Sequence, residues 1–220
     1  MKNILLFVFT MLFFQNAYAQ VGLSAGFKMM NASAWTDFLN QKNQSNSSNY
    51  QGISVGLDYW FRLEKKRIEF FPTLSYEKYQ QNFGLSKDEI NTLNFYFNTN
   101  IYFFDFEGDC NCPTFSKGGK VFEKGFFIQV SPGVSYFTTK FATATDDTTD
   151  KNLNFGLGIG AGLDIGISDF FTVTPLVRYT WLPSVTREEL ALVNELPNDA
   201  LDTDISQFFV GIRLGLRWTD

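Results

Sequence analysis

Residues 153–167 read Leu-Asn-Phe-Gly-Leu-Gly-Ile-Gly-Ala-Gly-Leu-Asp-Ile-Gly-Ile, with an apolar residue at every odd position and Gly, Asn or Asp at every even one. Alternate side chains of an extended chain leave on opposite faces, so this segment predicts a strand with one greasy face and one nearly bare face. It is far longer than the usual strand of about 5–6 residues. It covers the roughly 9–11 residues that a tilted strand needs to cross a bilayer. The pattern returns near the end of the chain, where Phe208, Val210, Ile212, Leu214, Leu216 and Trp218 share one face and Gln207, Phe209, Gly211, Arg213, Gly215 and Arg217 the other. Strands of this kind fit a barrel with lipid outside and polar groups inside.

The alternation extends to eight segments: 21–32, 52–61, 68–80, 91–104, 125–138, 153–167, 171–182 and 205–219. The predicted fold is all-β, an eight-stranded antiparallel up-and-down transmembrane β-barrel. Long stretches rich in Asn, Ser, Thr and Asp follow the odd-numbered strands, at 33–51, 81–90, 139–153 and 183–204. Short turns follow strands two and six. Long loops outside and short turns inside predict that both termini are periplasmic. The segment 105–124 departs from that pattern, being a long connection on the side of the short turns. Pro72, Pro132 and Pro175 each precede a tyrosine by four positions, at Tyr76, Tyr136 and Tyr179, and each points outward in this register. Proline cannot donate to a ladder, so these sites predict bulges or weakened pairing.

The N-terminus carries Lys2, an apolar run from Ile4 to Phe14 and an Ala17-Tyr18-Ala19 cleavage pattern, so residues 1–19 are expected to be a cleaved signal peptide and 20–220 the barrel domain. The net charge of −5 comes with no basic stripe, which argues against nucleic acid as a partner. The aromatic share of 18% is high enough to furnish girdles at two membrane interfaces. The chain has no histidine, which removes the commonest general base and the commonest metal ligand.

These strands, the proline–tyrosine repeat and the C-terminal Phe208–Trp218 segment resemble the small outer-membrane β-barrel domain family of Bacteroidota, which includes PorT-type proteins. More loosely they resemble the eight-stranded OmpA/OmpX architecture. The resemblance implies an outer-membrane location and a fold, and it brings no catalytic residue with it.

Among inward positions, Lys28, Arg178, Arg213 and Arg217 stand against Asp58, Glu69, Glu77 and Asp164. An equal count of each sign predicts a lumen ion-pair network, read either as a satisfied polar plug or as a gate. Cys110-Asn111-Cys112 is a candidate disulfide, because the periplasm is oxidising. A partner-docking loop comes second and a metal site third, the latter needing ligands from Asp105, Glu107, Asp109 or Glu123. Phe106, Phe115 and Phe122 are candidate partner-docking residues on the same segment. Thr186-Arg187-Glu188-Glu189 has the capping-box pattern and predicts a short helix in the last long loop. Asp146, Asp147 and Asp150 lack the glycine and terminal glutamate of a calcium loop.

The expected function is non-enzymatic: a structural barrel, or an accessory subunit of a larger envelope complex such as a secretion or barrel-assembly machine. Its partners would be outer-membrane lipid and other envelope proteins, with no cofactor. A small-ligand or transport barrel and a soluble secreted lipocalin-like barrel are the alternatives. In the last of these the apolar faces would point inward.

Overall fold

Each alternating segment forms one stave of a closed antiparallel barrel. A computed structural model describes residues 20–63, 66–106, 121–142, 147–168, 170–197 and 199–217. The strands are β1 (Gln20–Asn31), β2 (Tyr50–Arg62), β3 (Ile68–Phe83), β4 (Ser86–Ile101), β5 (Phe126–Ala142), β6 (Asp147–Leu163), β7 (Ile165–Gly166), β8 (Phe171–Thr186) and β9 (Asp202–Arg217). The two-residue β7 continues β6 past a break at Asp164, so β6 and β7 make one stave and the barrel has eight. Neighbours in sequence pair throughout, β1 pairs with β9, and β6 with β8 completes the ring. Among the described residues three short α-helices join the staves: α1 (Ser33–Asn43), α2 (Val121–Gly125) and α3 (Glu188–Val193). None of the described helices is long and apolar enough to cross a membrane.

The expected facing holds along the middle of every stave. Phe27 and Phe155 are each 76% exposed on the outer wall, while Lys28 and Asn94 on the inner face are about 1% exposed. This is the reverse of a lipocalin, whose greasy face encloses a ligand, and it sets aside the soluble-barrel alternative.

Nearer the end opposite the chain termini, the alternation keeps its period but changes sense. Outward positions become polar, with Lys87, Glu89, Lys140, Thr149 and Lys151, and inward positions become Tyr79, Phe83, Ile90, Phe137 and Phe141, all buried. Exposed ion pairs decorate this outer wall, Lys78 of β3 with Glu89 of β4 across the ladder at 3.0 Å and Lys87 with Glu89 along β4 at 3.5 Å. The staves therefore rise out of the lipid layer into water. Their 16–17 residues in β3 to β6 exceed what a bilayer needs. The segments 81–90 and 139–153, expected as polar loops, are mostly ladder in this raised part. The β3–β4 hairpin closes on a Gly84–Leu85 turn, with Phe83 opposite Ser86 and Gly84 at φ 60°, a left-handed conformation that glycine adopts without cost. The stretch 33–51, also expected as loop, contains α1.

The prolines act as predicted, one side at a time. The β2–β3 ladder passes from Asp58↔Thr73 directly to Phe61↔Phe70, skipping Pro72, while Pro72 keeps its place opposite Phe97 of β4. The β4–β5 ladder skips from Tyr96↔Gly133 to Thr99↔Val130 around Pro132, which stays opposite Leu157. Pro175 remains opposite Ile212, but the β6–β8 ladder stops at Gly162↔Leu176, one step short of it. A proline keeps its carbonyl and lacks an N–H, so only the neighbour that needed the donor is lost.

Pro183 ends the same seam from above. The last pair there is Leu157↔Trp181, and continued register would set Pro183 against Phe155. Beyond it Ser184 takes φ 52° and the β8–β9 register shifts between Leu182 and Val185. Asp204 and Asp202 hold the bulge by accepting from the Ser184 amide (3.1 Å) and hydroxyl (2.8 Å). As a result β6 pairs along all 17 of its residues with β5 but along only six with β8, which makes β6–β8 the weakest seam.

Two measurements test this architecture. Amide hydrogen exchange on the refolded protein should find the β6–β8 amides exchanging before those of the β3–β4 ladder; equal protection would contradict a weak seam. Leu157→Arg and Ile159→Arg, on the lipid face near the middle of the apolar band, should each destabilise the barrel by about 2–4 kcal/mol in urea titrations. Silent substitutions would mean that these positions do not meet lipid.

Candidate functional site

The interior is built from the inward residues of the eight staves. Next to the raised end, Lys28 of β1 pairs with Glu77 of β3 at 2.5 Å and donates to Gln207 of β9 at 3.0 Å. Glu77 also accepts from the Tyr79 hydroxyl (2.7 Å) and from Thr92 (3.2 Å). One level down, Arg178 of β8 donates to Asn98 at 3.0 Å and lies between the rings of Tyr96 and Phe209, 5.0 and 5.6 Å from their centroids. Below that, Arg213 of β9 makes a two-pronged pair with Asp58 of β2 at 2.6 and 2.8 Å and stacks 4.5 Å over Phe71. At the end carrying the termini, Glu69 accepts from the Trp60 indole at 2.6 Å, and the Tyr102 hydroxyl reaches Glu69 at 3.0 Å and also Asp164. Thr174 donates to Asp164.

Lys28, Asp58, Glu69, Glu77, Asp164, Arg178 and Arg213 thus all line one interior, and they form separate tiers rather than a single relay. Arg178 differs from the other described interior cations in that its hydrogen bonds go to side-chain amides. The side chain of Arg217 lies outside the described residues.

Little space remains between the tiers. The larger described cavity measures about 30 Å³ and is lined by Ser24, Asp58, Asn98, Gln129, Arg178 and Arg213, among others. A single water needs roughly 10–15 Å³ by this kind of measure, so the cavity holds a water or two and no solute. Bulk fills the places where glycine leaves room. A Cβ at Gly158 would lie 3.0 Å from Ser131 and 3.2 Å from Arg178, and one at Gly162 would collide with the Phe127 ring. Phe127 fills the space over Gly162, while Arg178 and Leu182 fill over Gly160 and Gly156.

The raised end is closed by a second core. Trp35 and Leu39 of α1 and Leu190 and Ala191 of α3 pack with Met30, Tyr50, Tyr79, Phe83, Phe137 and Ile205, all at most 1% exposed. The Trp35 indole donates to the Leu201 carbonyl at 2.8 Å. Asn40 ties down the stretch after α1, accepting from the Ser45 hydroxyl and the Ser47 amide and donating to the Ser47 carbonyl at 2.7–2.9 Å.

A buried latch joins this cap to the staves. Arg187 donates twice to Asp88 of β4 at 2.8 and 3.1 Å, lies 3.6 Å from Asp150 of β6, and sits 5.3 Å over the Trp35 ring. Tyr50 donates to Asp88 at 2.7 Å. Burial, and then the Asp88 charge, push the Tyr50 hydroxyl well above its ordinary pKa, so it remains a donor. The helix predicted from Thr186–Glu189 is present, but the capping box is not. Arg187 is the N-cap and makes no side-chain cap bond. Asp150 does that work from another strand, accepting from the Glu189 amide at 2.6 Å. Sequence reasoning missed Arg187, Asp88 and Asp150 because each falls in a stretch expected to be loop. The inward alternation Ser86, Asp88, Ile90, Thr92 was the available signal.

At the other end, the candidate docking residues separate. Phe106 lies under the Lys66 ammonium, 4.9 Å from the ring centroid, and its carbonyl accepts from the Arg67 amide. Phe122 of α2 is exposed on the outer wall against Phe126 and Phe104. Cys110, Cys112 and Phe115 lie outside the described residues.

The latch makes a clear prediction. Arg187→Met strands the Asp88 charge in the cap and should cost about 3–5 kcal/mol, whereas adding Asp88→Asn should restore much of it. Urea midpoints of the refolded variants measure both. A loss in the double variant equal to the sum of the losses from Arg187→Met and Asp88→Asn alone would show that the pair is not coupled.

No protein-family model matches the chain, and no curated protein sequence does. Solved structures do resemble it. Neisserial surface protein A superposes with a TM-score of 0.54 at 10% identity, over 92% of this chain and 98% of that one. Ail, the attachment invasion locus protein of Yersinia pestis, gives 0.45 at 10% identity over 90% and 99%. The outer membrane protein OprG of Pseudomonas aeruginosa gives 0.43 at 10% identity over 91% and 97%. At such identities the likeness is one of fold, and the fold is that of a small eight-stranded outer-membrane β-barrel.

Proposed function

We propose that this protein is a sealed integral barrel of the outer membrane whose role is structural, as an accessory subunit of a larger envelope complex rather than an enzyme or a channel. The observation that carries this reading is closure: the described lumen is filled tier by tier from Tyr102 to Lys28, and a hydrophobic cap covers its raised end. Binding or transport of a solute would need room that a cavity of about 30 Å³ does not offer. The described interior carboxylates are engaged by neighbouring donors, and the cavity that Asp58 and Asp164 line is too small for a substrate. We place both termini in the periplasm and the cap outside the cell, because the raised end carries the polar outer wall and both cap helices. Exposed Leu85 on the hairpin turn and Leu192 and Val193 on α3 give that end apolar contacts to offer a partner.

Two experiments test the proposal. In planar bilayers the purified protein should show no stable open pore; sustained porin-like conductance would favour the transport alternative. Affinity purification from native membranes should recover defined envelope proteins, and recovery of the barrel with lipid alone would count against the accessory role.

A further inference from the structure

We propose that the folded barrel closes its own seam with a covalent bond, an isopeptide between Lys28 of β1 and Gln207 of β9. Lys28 is the one buried lysine among the described residues. The other described interior cations are arginines, whose guanidinium stays protonated and is no nucleophile. A lysine amine becomes a nucleophile once it gives up a proton. Lys28 has both a proton acceptor and an electrophile at hand. Its Nζ lies 2.5 Å from Glu77 Oε1 and 3.0 Å from the Gln207 amide oxygen, so one nitrogen touches a carboxylate and a carboxamide. The three residues are at most 1% exposed, which keeps bulk water from the amine.

The surroundings fix each partner. β1 and β9 are the first and last staves, and their register sets Lys28 opposite Phe209 and Met30 opposite Gln207. Lys28 and Gln207 are therefore diagonal neighbours on the inward face, within reach of long side chains. Tyr79 and Thr92 both donate to Glu77 Oε2, which leaves Oε1 to the amine. Arg178 lies opposite Phe209 from β8, in the row of Lys28 and one row from Gln207. A positive charge there favours the negative charge that develops on an amide oxygen under attack.

The step balances without an added reagent. Lys28 Nζ gives one proton to Glu77 and attacks Gln207 Cδ as a neutral amine. The Nζ–Cδ bond forms and the Cδ–Nε2 bond breaks. Glu77 hands its proton to the departing nitrogen and takes the second proton from Nζ, and ammonia leaves. Nothing is oxidised or reduced. The reactants bury two charges and the products none, which removes a desolvation cost. Ammonia is the size of a water, and the cavity of about 30 Å³ lined in part by Arg178 and Phe209 has room for it. The bond joins positions 179 residues apart across the seam between the two ends of the chain. A cross-link closing so long a loop restricts the unfolded chain and holds the ring shut.

The test is peptide mass spectrometry on the full chain, purified from membranes, denatured and digested. The expected product is one cross-linked pair, lighter by one ammonia than the two peptides together, with fragments placing the bond between Lys28 and Gln207. Both peptides recovered separately and intact from folded protein would overturn the proposal. Lys28→Arg keeps the charge and should give no cross-link, with folding checked by heat-modifiable migration on a gel. Glu77→Gln should fold with the peptides separate; a cross-link persisting there would overturn the role of Glu77 as proton carrier. Should that variant fail to fold, a refolding time course of the unaltered chain decides instead. The cross-link should appear only after transfer from urea into detergent micelles, and its formation in urea would show that the fold does not template it.

Discussion

Hydrocarbon cannot hydrogen-bond a peptide group, and that constraint shapes the rest of this molecule. A strand in lipid must find every partner on its neighbours, so the sheet has to close. Closure puts half of the side chains in lipid and half in a narrow lumen, and eight staves leave the lumen only wide enough for side chains. Polar groups there must satisfy one another. The pairs of Lys28 with Glu77 and Arg213 with Asp58, and the meeting of Glu69, Asp164 and Tyr102, follow from that requirement without any appeal to function. The prolines show how narrowly it is met. Each removes donors on one side only, and the neighbour on the other side keeps its register.

The same alternation serves two solvents. In the lipid layer Leu157 and Ile159 face out while Gly158 and Gly160 face in; above it Lys140 faces out and Phe141 faces in. The change of sense marks where the bilayer ends, and it creates an apolar throat that water would otherwise enter. The cap is the consequence. Trp35, Leu39 and Leu190 fill the throat as the core of a soluble protein would be filled, by burying apolar surface at roughly 25 cal/mol per Å². Arg187 is the polar part of that seal, its charge matched by Asp88 and its flat face laid over Trp35.

How much of this was legible in the sequence follows from the same physics. The outward rows and the inward charges at Lys28, Asp58, Glu77, Arg178 and Arg213 could be read because a period of two is strict along a strand and lipid tolerates no polar side chain near its midplane. The raised part of the barrel was hidden by the opposite circumstance. There the outer wall is Lys, Glu, Asn and Thr, the composition of a loop, and the inward Asp88 and Asp150 look like loop acids. Helix α1 was hidden because its sequence, Ser-Ala-Trp-Thr-Asp-Phe-Leu-Asn-Gln-Lys-Asn, is mostly polar, and only Trp35, Thr36 and Leu39 are buried. The capping function of Asp150 cannot be seen locally at all, since the cap and the helix lie 39 residues apart.

Buried ion pairs seldom add much stability over well-packed apolar groups, so their recurrence in this lumen calls for another reason. Register supplies one. A slip of one residue along any stave would turn its whole inward set to the lipid. For β1 it would carry Lys28 into hydrocarbon and Phe27 against Glu77; for β9 it would expose Arg213 and crowd Ile212 toward Asp58. A barrel held by apolar contacts alone would lose little by such a slip along the glycine part of β6, where inward Gly156, Gly158, Gly160 and Gly162 bring no side chains to object. The neighbours object instead. Arg178 lies over Gly160 with its guanidinium between Tyr96 and Phe209, and Phe127 lies over Gly162, so shifting β6 by one residue would drive Ile159 or Ala161 into them. The charged tiers and the bare glycine face are thus two halves of one device, which selects a single register in the stave whose ladder to β8 is the shortest in the barrel.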